Sequence, residues 1–136
     1  MPEELLRNGL VSALNDFAVS VPGATFSTFG DIHTDKNREL VLYRCAYELV
    51  NNAMKHAEAT HIDIQLMQES KQVTLTVSDN GKGMAAANSQ LSTLNSQLNG
   101  GMGLQNIRER IQPYHGSLDI ITAEGQGTEI NIKLPL

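Results

Sequence analysis

Glu48, Asn52, Lys55 and His56 recur at i, i+4, i+7 and i+8. On a helix that spacing sets an acid, an amide, an ammonium and an imidazole along one stripe, which suits the binding of a polar ligand. Leu42, Ala46, Leu49 and Ala53 form an apolar stripe on another side, so the same helix has a face for a core. Asp79 is a second candidate. Counting by two from Val73 through Leu75 and Val77 places its carboxylate on the buried face of a strand, at the strand's end. There it needs a donor partner, because an unpaired buried charge costs on the order of several kcal/mol. Three glycine motifs complete the set: DNGKGM over 79–84, GGMGL over 100–104 and GQGT over 125–128. Gly81 and Gly83 permit positive φ and close approach of a flat ring to the backbone. Gly101, Met102 and Gly103 lie just before an amphipathic segment, where free N–H groups and the positive end of a helix dipole hold anions. Thr128 shares parity with Ile130, Ile132 and Leu134, which turns its hydroxyl inward.

The elements that position these groups follow from periodicity. Leu6, Leu10, Leu14 and Phe17 predict a helix over 3–19, broken by Pro22 and Gly23. ATFSTFG (24–30) reads as a short strand. The polar loop GDIHTDKN leads to Thr34 or Asp35, either of which can cap a long helix running to about residue 57. HIDIQLM (61–67) and QVTLTVSD (72–79) alternate and predict an antiparallel hairpin with one buried face. Residues 85–99 carry no charge and are rich in Asn, Ser and Gln, a loop composition. LQNIRERI is a second clear helix, ended by Pro113 and Gly116, with its arginines Arg108 and Arg110 read as solvated or facing a partner. SLDIITAE and TEINIKLPL form the last hairpin across Gly125-Gln126-Gly127. Helices on one face of a mixed, mostly antiparallel sheet make a two-layer α/β sandwich, with polar residues such as Thr74, Thr76, Asn131 and Lys133 on the sheet's other face.

At 136 residues and 40% hydrophobic content the chain reads as one domain, 1–136, with a single aliphatic core and no tryptophan. A net charge of −5 argues against a general nucleic-acid binder, though not against a nucleotide held by local cations and backbone N–H groups. Cys45 is the sole cysteine, so no internal disulfide forms; it faces the apolar side of its helix as core filler. No stretch approaches the roughly 20 apolar residues of a membrane span, and MPEELLRNGL lacks the character of a signal peptide. The expected setting is cytoplasmic, including the cytosolic part of a membrane-bound protein.

The helix motif ELVNNAMKH (48–56), followed in order by DNGKGM, GGMGL and GQGT, resembles the Bergerat-type ATP-binding catalytic domain of sensor histidine kinases and, more broadly, of gyrase, Hsp90, histidine kinase and MutL ATPases. The likeness covers about residues 5–136. It implies a domain that binds ATP and Mg²⁺ and donates the γ-phosphoryl group to a histidine on a separate dimerisation domain, with a response regulator as indirect partner and no nucleic-acid or membrane contact. Asn52, or Asn51 if the register is shifted, would give an oxygen to magnesium. Glu48, matching the family's catalytic carboxylate, would act as a base or only orient groups near the γ-phosphate. Lys55 and His56 would lie on the phosphate side, and Asp79, Gly81, Gly83, Met84 and Thr128 around the adenine. Gly101, Met102, Gly103 and Leu104 would form the second glycine box, and 85–99 a lid over the phosphates. His33 has no acid-flanked helical setting and is an ordinary loop histidine, so the phosphoacceptor domain is absent and autophosphorylation by this chain alone should be slight. The lid has no phenylalanine, and NIRERI resembles the kinases paired with helix-turn-helix regulators. Two alternatives stand: an anti-sigma-factor type of protein-serine kinase, and a nucleotide-sensing module without transfer activity. A gyrase- or Hsp90-like ATPase lacks room for its second domain.

Overall fold

The computed structural model describes residues 3–83 and 99–136, with side chains omitted for 99–103. The predicted 85–99 lid, apart from Asn99, and Met84 lie outside the described residues.

Among the described residues, three α-helices and five strands follow in the order α1 (Glu3–Ser20), β1 (Ala24–Phe29), α2 (Lys36–His56), β2 (Ile62–Gln68), β3 (Gln72–Asp79), α3 (Asn99–Ile111), β4 (Ser117–Thr122) and β5 (Thr128–Pro135). The sheet order is β1-β2-β3-β5-β4. β1 and β2 are parallel and joined through α2; every other pair is antiparallel. The predicted two-layer sandwich is the observed one. The alternation explains it: Ile62, Ile64 and Leu66, Val73, Leu75 and Val77, and Ile130, Ile132 and Leu134 are all buried beneath the helices. On the helix-free face Thr76 donates from Oγ1 to Asn131 Oδ1 at 2.6 Å.

The predicted core stripe of α2 is buried throughout, together with Cys45 and Val50. Asp35 caps this helix, its carboxylate accepting from Arg38 N at 3.2 Å. Phe17 of α1 packs against Tyr43 and Tyr47 of α2, with ring centroids 6.1 and 5.4 Å apart.

Two helices differ from expectation. The helix predicted over 3–19 is broken at Gly9, whose φ of 88° and ψ of −179° are not helical. A residue without Cβ tolerates that turn, and the Glu39 carboxylate then accepts from Leu10 N at 3.2 Å, capping the second half. A sequence with unbroken apolar spacing hides such a break. The second difference lies in α3. It begins at Asn99, so Gly101, Met102 and Gly103 lie inside its first turns rather than before it. Glycine in a helix costs only about 1 kcal/mol. Burial of Leu104, Ile107 and Ile111 contributes more than that, at about 2 kcal/mol per side chain. The free N–H groups at the helix start therefore fall to residues 99–102.

Candidate functional site

β3 is the central strand, and Asp79 is its last residue, in register with Ile62 on one side and Thr128 on the other. Its carboxylate is half-buried. Gly81 N donates to Oδ1 at 2.7 Å, and the backbone N–H of Thr128 also donates to the carboxylate. Desolvation raises the Asp79 pKa above its ordinary value, and the two N–H groups oppose that rise without cancelling it. The carboxylate thus retains acceptor capacity at a site the protein does not fully solvate. Thr128 is buried as predicted, and its hydroxyl lies 2.9 Å from that of Thr122.

The DNGK loop after Asp79 is fastened on two sides. Lys82 N donates to Ala57 O, just beyond the end of α2, at 2.9 Å. Gly125 N donates to Lys82 O at 2.7 Å from the β4–β5 turn. Gly81 and Gly83 turn out to serve this docking: a Cβ on them would lie 2.4 Å from Ala57 O and 2.2 Å from Ala123 O, respectively. The space their missing side chains leave is taken by protein backbone, whereas the sequence suggested a flat ring would use it. Gly127 is packed in the same way against Asp79 O. Sequence reasoning passed over Asn80. Its Oδ1 accepts from Thr60 N at 3.0 Å and His61 N at 2.9 Å, and its Nδ2 donates to Thr60 Oγ1 at 2.9 Å. An Asn followed by Gly looks like a plain turn, and no local signal reveals partners twenty residues upstream.

The polar stripe of α2 is also present. Glu48 and Asn52 are half-buried one turn apart, while Lys55 and His56 are exposed in the helix's last turn. Among the described residues the Asn52 amide has no hydrogen-bond partner, so it is free to take a ligand. Glu48 is engaged: Arg110 Nη1 of α3 donates to its Oε2 at 3.1 Å. This corrects the reading of Arg110 as a solvated or partner-facing side chain; Arg108 is exposed as expected. The aliphatic stripe of α3 carries its docking. A half-exposed ion pair adds about 1 kcal/mol or less, so its contribution is to the register between the two helices.

Buried Cys45 lies within electrostatic reach of both Glu48 and Arg110, and burial pushes its thiol up to about 12. It is inert filler, as expected. His33 sits in a loop whose backbone is tied to the Gln68 side chain at 2.6 and 3.1 Å. No group of three or more His, Cys, Asp or Glu residues that could hold a metal occurs among the described residues.

The structure thus brings together the end of α2, the DNGK loop and the GQGT turn, with α3 braced on α2. The profile of the family described as histidine kinase-, DNA gyrase B- and HSP90-like ATPase matches residues 37–136. The chain belongs to this family. Its domain is the family's ATP-binding one. The sensor histidine kinase LiaS of Bacillus subtilis (strain 168) is 29% identical over 131 residues, covering 96% of this chain and 34% of that protein. The sensor protein VraS of Staphylococcus haemolyticus is 26% identical over 136 residues, covering all of this chain and 37% of that protein. The chain therefore spans about a third of the length of these relatives. Among solved structures, the histidine kinase domain of the blue-light activated histidine kinase EL346 from Erythrobacter litoralis superposes with a TM-score of 0.64 at 20% identity, covering 93% of this chain and 57% of that one. That likeness shows the ATPase-domain fold. No helix among the described residues is long and apolar enough to cross a membrane.

Proposed function

We propose that this chain is the ATP-binding catalytic domain of a two-component sensor kinase, binding ATP with Mg²⁺ and donating the γ-phosphoryl group to a histidine on a dimerisation domain outside the sequence. The observation that carries the reading is the Asp79 carboxylate. It is half-buried at the end of the central strand, its pKa is raised by desolvation, and among the described residues its backbone donors are Gly81 and Thr128 alone. The adenine amino group is a neutral donor of the kind such a carboxylate lacks. Asp79 reads that amino group, and Thr128 lies beside it. Gly81 and Gly83 hold the loop, with Met84 following it.

The donor set fits magnesium. A hard cation bound with ATP keeps most of its waters and takes few protein ligands, and Asn52 offers an uncommitted amide oxygen. Lys55 supplies cationic charge at the phosphate side, and His56 stands beside it as a polar ring. The start of α3, with Gly101 and Met102, presents free N–H groups to phosphate oxygens, while Gly103 and Leu104 continue the helix. Bound magnesium would neutralise phosphate charge, and the chain's part is positioning. The names of the relatives, a sensor histidine kinase and a sensor protein, favour histidine transfer over the serine-kinase and non-catalytic alternatives. In the cell the domain would work in the cytoplasm, with a response regulator taking the phosphoryl group from the histidine.

The test is calorimetry with a non-hydrolysable ATP analogue, with and without Mg²⁺, on the native chain and on Asp79→Ala. Magnesium-assisted binding that weakens at least about 30-fold in the variant, the order of a lost charged hydrogen bond, is the expected result. A folded native chain that binds nothing would overturn the reading.

A further inference from the structure

We propose that Arg110 is a positioning residue for the phosphate end of the site, acting through Glu48. Its guanidinium holds the Glu48 carboxylate in place and cancels its charge where the polyphosphate must lie. This rests on the ATP-site reading above.

The pair joins residues 62 positions apart on facing helices, at 3.1 Å, with side chains 34% and 25% exposed. Arg110 follows Ile107 and precedes Ile111, so it stands at the rim of the buried stripe by which α3 docks. Cys45, one turn before Glu48, is buried and within electrostatic reach of both charges. Arg110 is not itself placed to bind phosphate at the start of α3. It lies eleven positions after Asn99, about 16 Å at the rise of an α-helix. Glu48, by contrast, is one turn from Asn52 on the stripe assigned to the ligand's phosphate end.

An isolated carboxylate there would repel a triphosphate, and a partly buried charge is screened less than an exposed one. The brace removes it. Because the guanidinium comes from α3, the same contact ties the helix whose glycines face the phosphates to the helix that carries Asn52. A bond that only stabilised the fold would do neither in a charge-dependent way.

Four variants of the full chain separate these possibilities: Arg110→Met, Arg110→Lys, Glu48→Gln and the double variant Arg110→Met with Glu48→Gln. Each is assayed for affinity toward the Mg²⁺-bound ATP analogue and toward ADP, and for unfolding in urea. Arg110→Met should weaken analogue binding about tenfold, the scale of coupling between contacting charges. The loss should be smaller for ADP, which has one phosphate fewer. Arg110→Lys should lose less than Arg110→Met, since it keeps the counter-charge, and Glu48→Gln alone is the reference against which the double variant is read. The double variant should recover most of the affinity that Arg110→Met alone loses. Unchanged analogue affinity in Arg110→Met, whatever its stability, overturns the proposal. So does a double variant that folds yet binds as weakly as the single one. A native chain that fails to bind the analogue sinks the ATP-site reading first, and is told apart because it needs no variant at all.

Discussion

The two ends of the site are held by different physics. Around Asp79 the holding is done by backbone: strand register on both sides, N–H groups on the carboxylate, and glycines so close to neighbouring carbonyls that no side chain fits. Around Glu48 it is done by side chains: one helix stripe, a free amide and a single ion pair to α3. Backbone hydrogen bonds and excluded volume have few alternative arrangements. Long side chains at a helix surface have many, at little cost. The Asp79 end is therefore a fixed template, and the Glu48 end has more freedom to rearrange.

The sharpest challenge to that contrast comes from two glycines in one turn. Gly127 has φ 83° and a Cβ there would lie 2.1 Å from Asp79 O, whereas Gly125 has φ 77° and open space. Gly127→Ala should cost roughly 3–5 kcal/mol, strain plus overlap with backbone that cannot move aside. Gly125→Ala should cost about 1 kcal/mol, from conformation alone. Urea unfolding of both decides; equal costs would mean the turn yields and the template is not rigid.

Next in size is Asn80→Ala, which removes three hydrogen bonds to residues 60 and 61. It should lower stability by about 2 kcal/mol and weaken nucleotide binding, because the loop bearing Gly81 loses its anchor. Retained affinity in a destabilised variant would show that the strand, without the loop, suffices to place Asp79.

Asp79→Asn should separate function from stability. A raised carboxylate binds its proton more readily in the folded than in the unfolded protein. Stability therefore falls as pH rises from the ordinary carboxylate value through the raised one, and the penalty stays in force at neutral pH. The asparagine variant, free of that penalty, should be the more stable protein at pH 7 and less dependent on pH over the acid range, while binding nucleotide poorly. Melting curves from pH 4 to pH 8 with no ligand present would show it; a variant less stable at pH 7 contradicts the assignment.

The smallest effect is remote from both ends. His115 adopts φ 60° after the short 3-10 turn that follows α3. His115→Gly should stabilise the chain by up to about 1 kcal/mol and leave nucleotide affinity unchanged. A change in affinity would mean the far end of α3 communicates with its start.

Much of this was legible in the residues. Alternation in the strands and the apolar stripe of α2 depend only on whether a side chain is apolar and on the periods of strand and helix. They therefore predicted the sheet, the buried face and the inward parity of Asp79 and Thr128. The order of the glycine motifs pointed to the family. What the sequence left open shares one cause: each is a contact between residues far apart in the chain. Glu39 capping α1 at the Gly9 break, Asn80 bound to Thr60 and His61, the carbonyls that fill the space beside Gly81 and Gly83, and Arg110 on Glu48 all span 19 to 62 positions or join separate loops. Local pattern determined which faces are apolar and which residues can do chemistry. Only tertiary packing decided which of those residues are already engaged and which remain free for a ligand, because a side chain's partner is set by where the sheet and helices bring distant segments together.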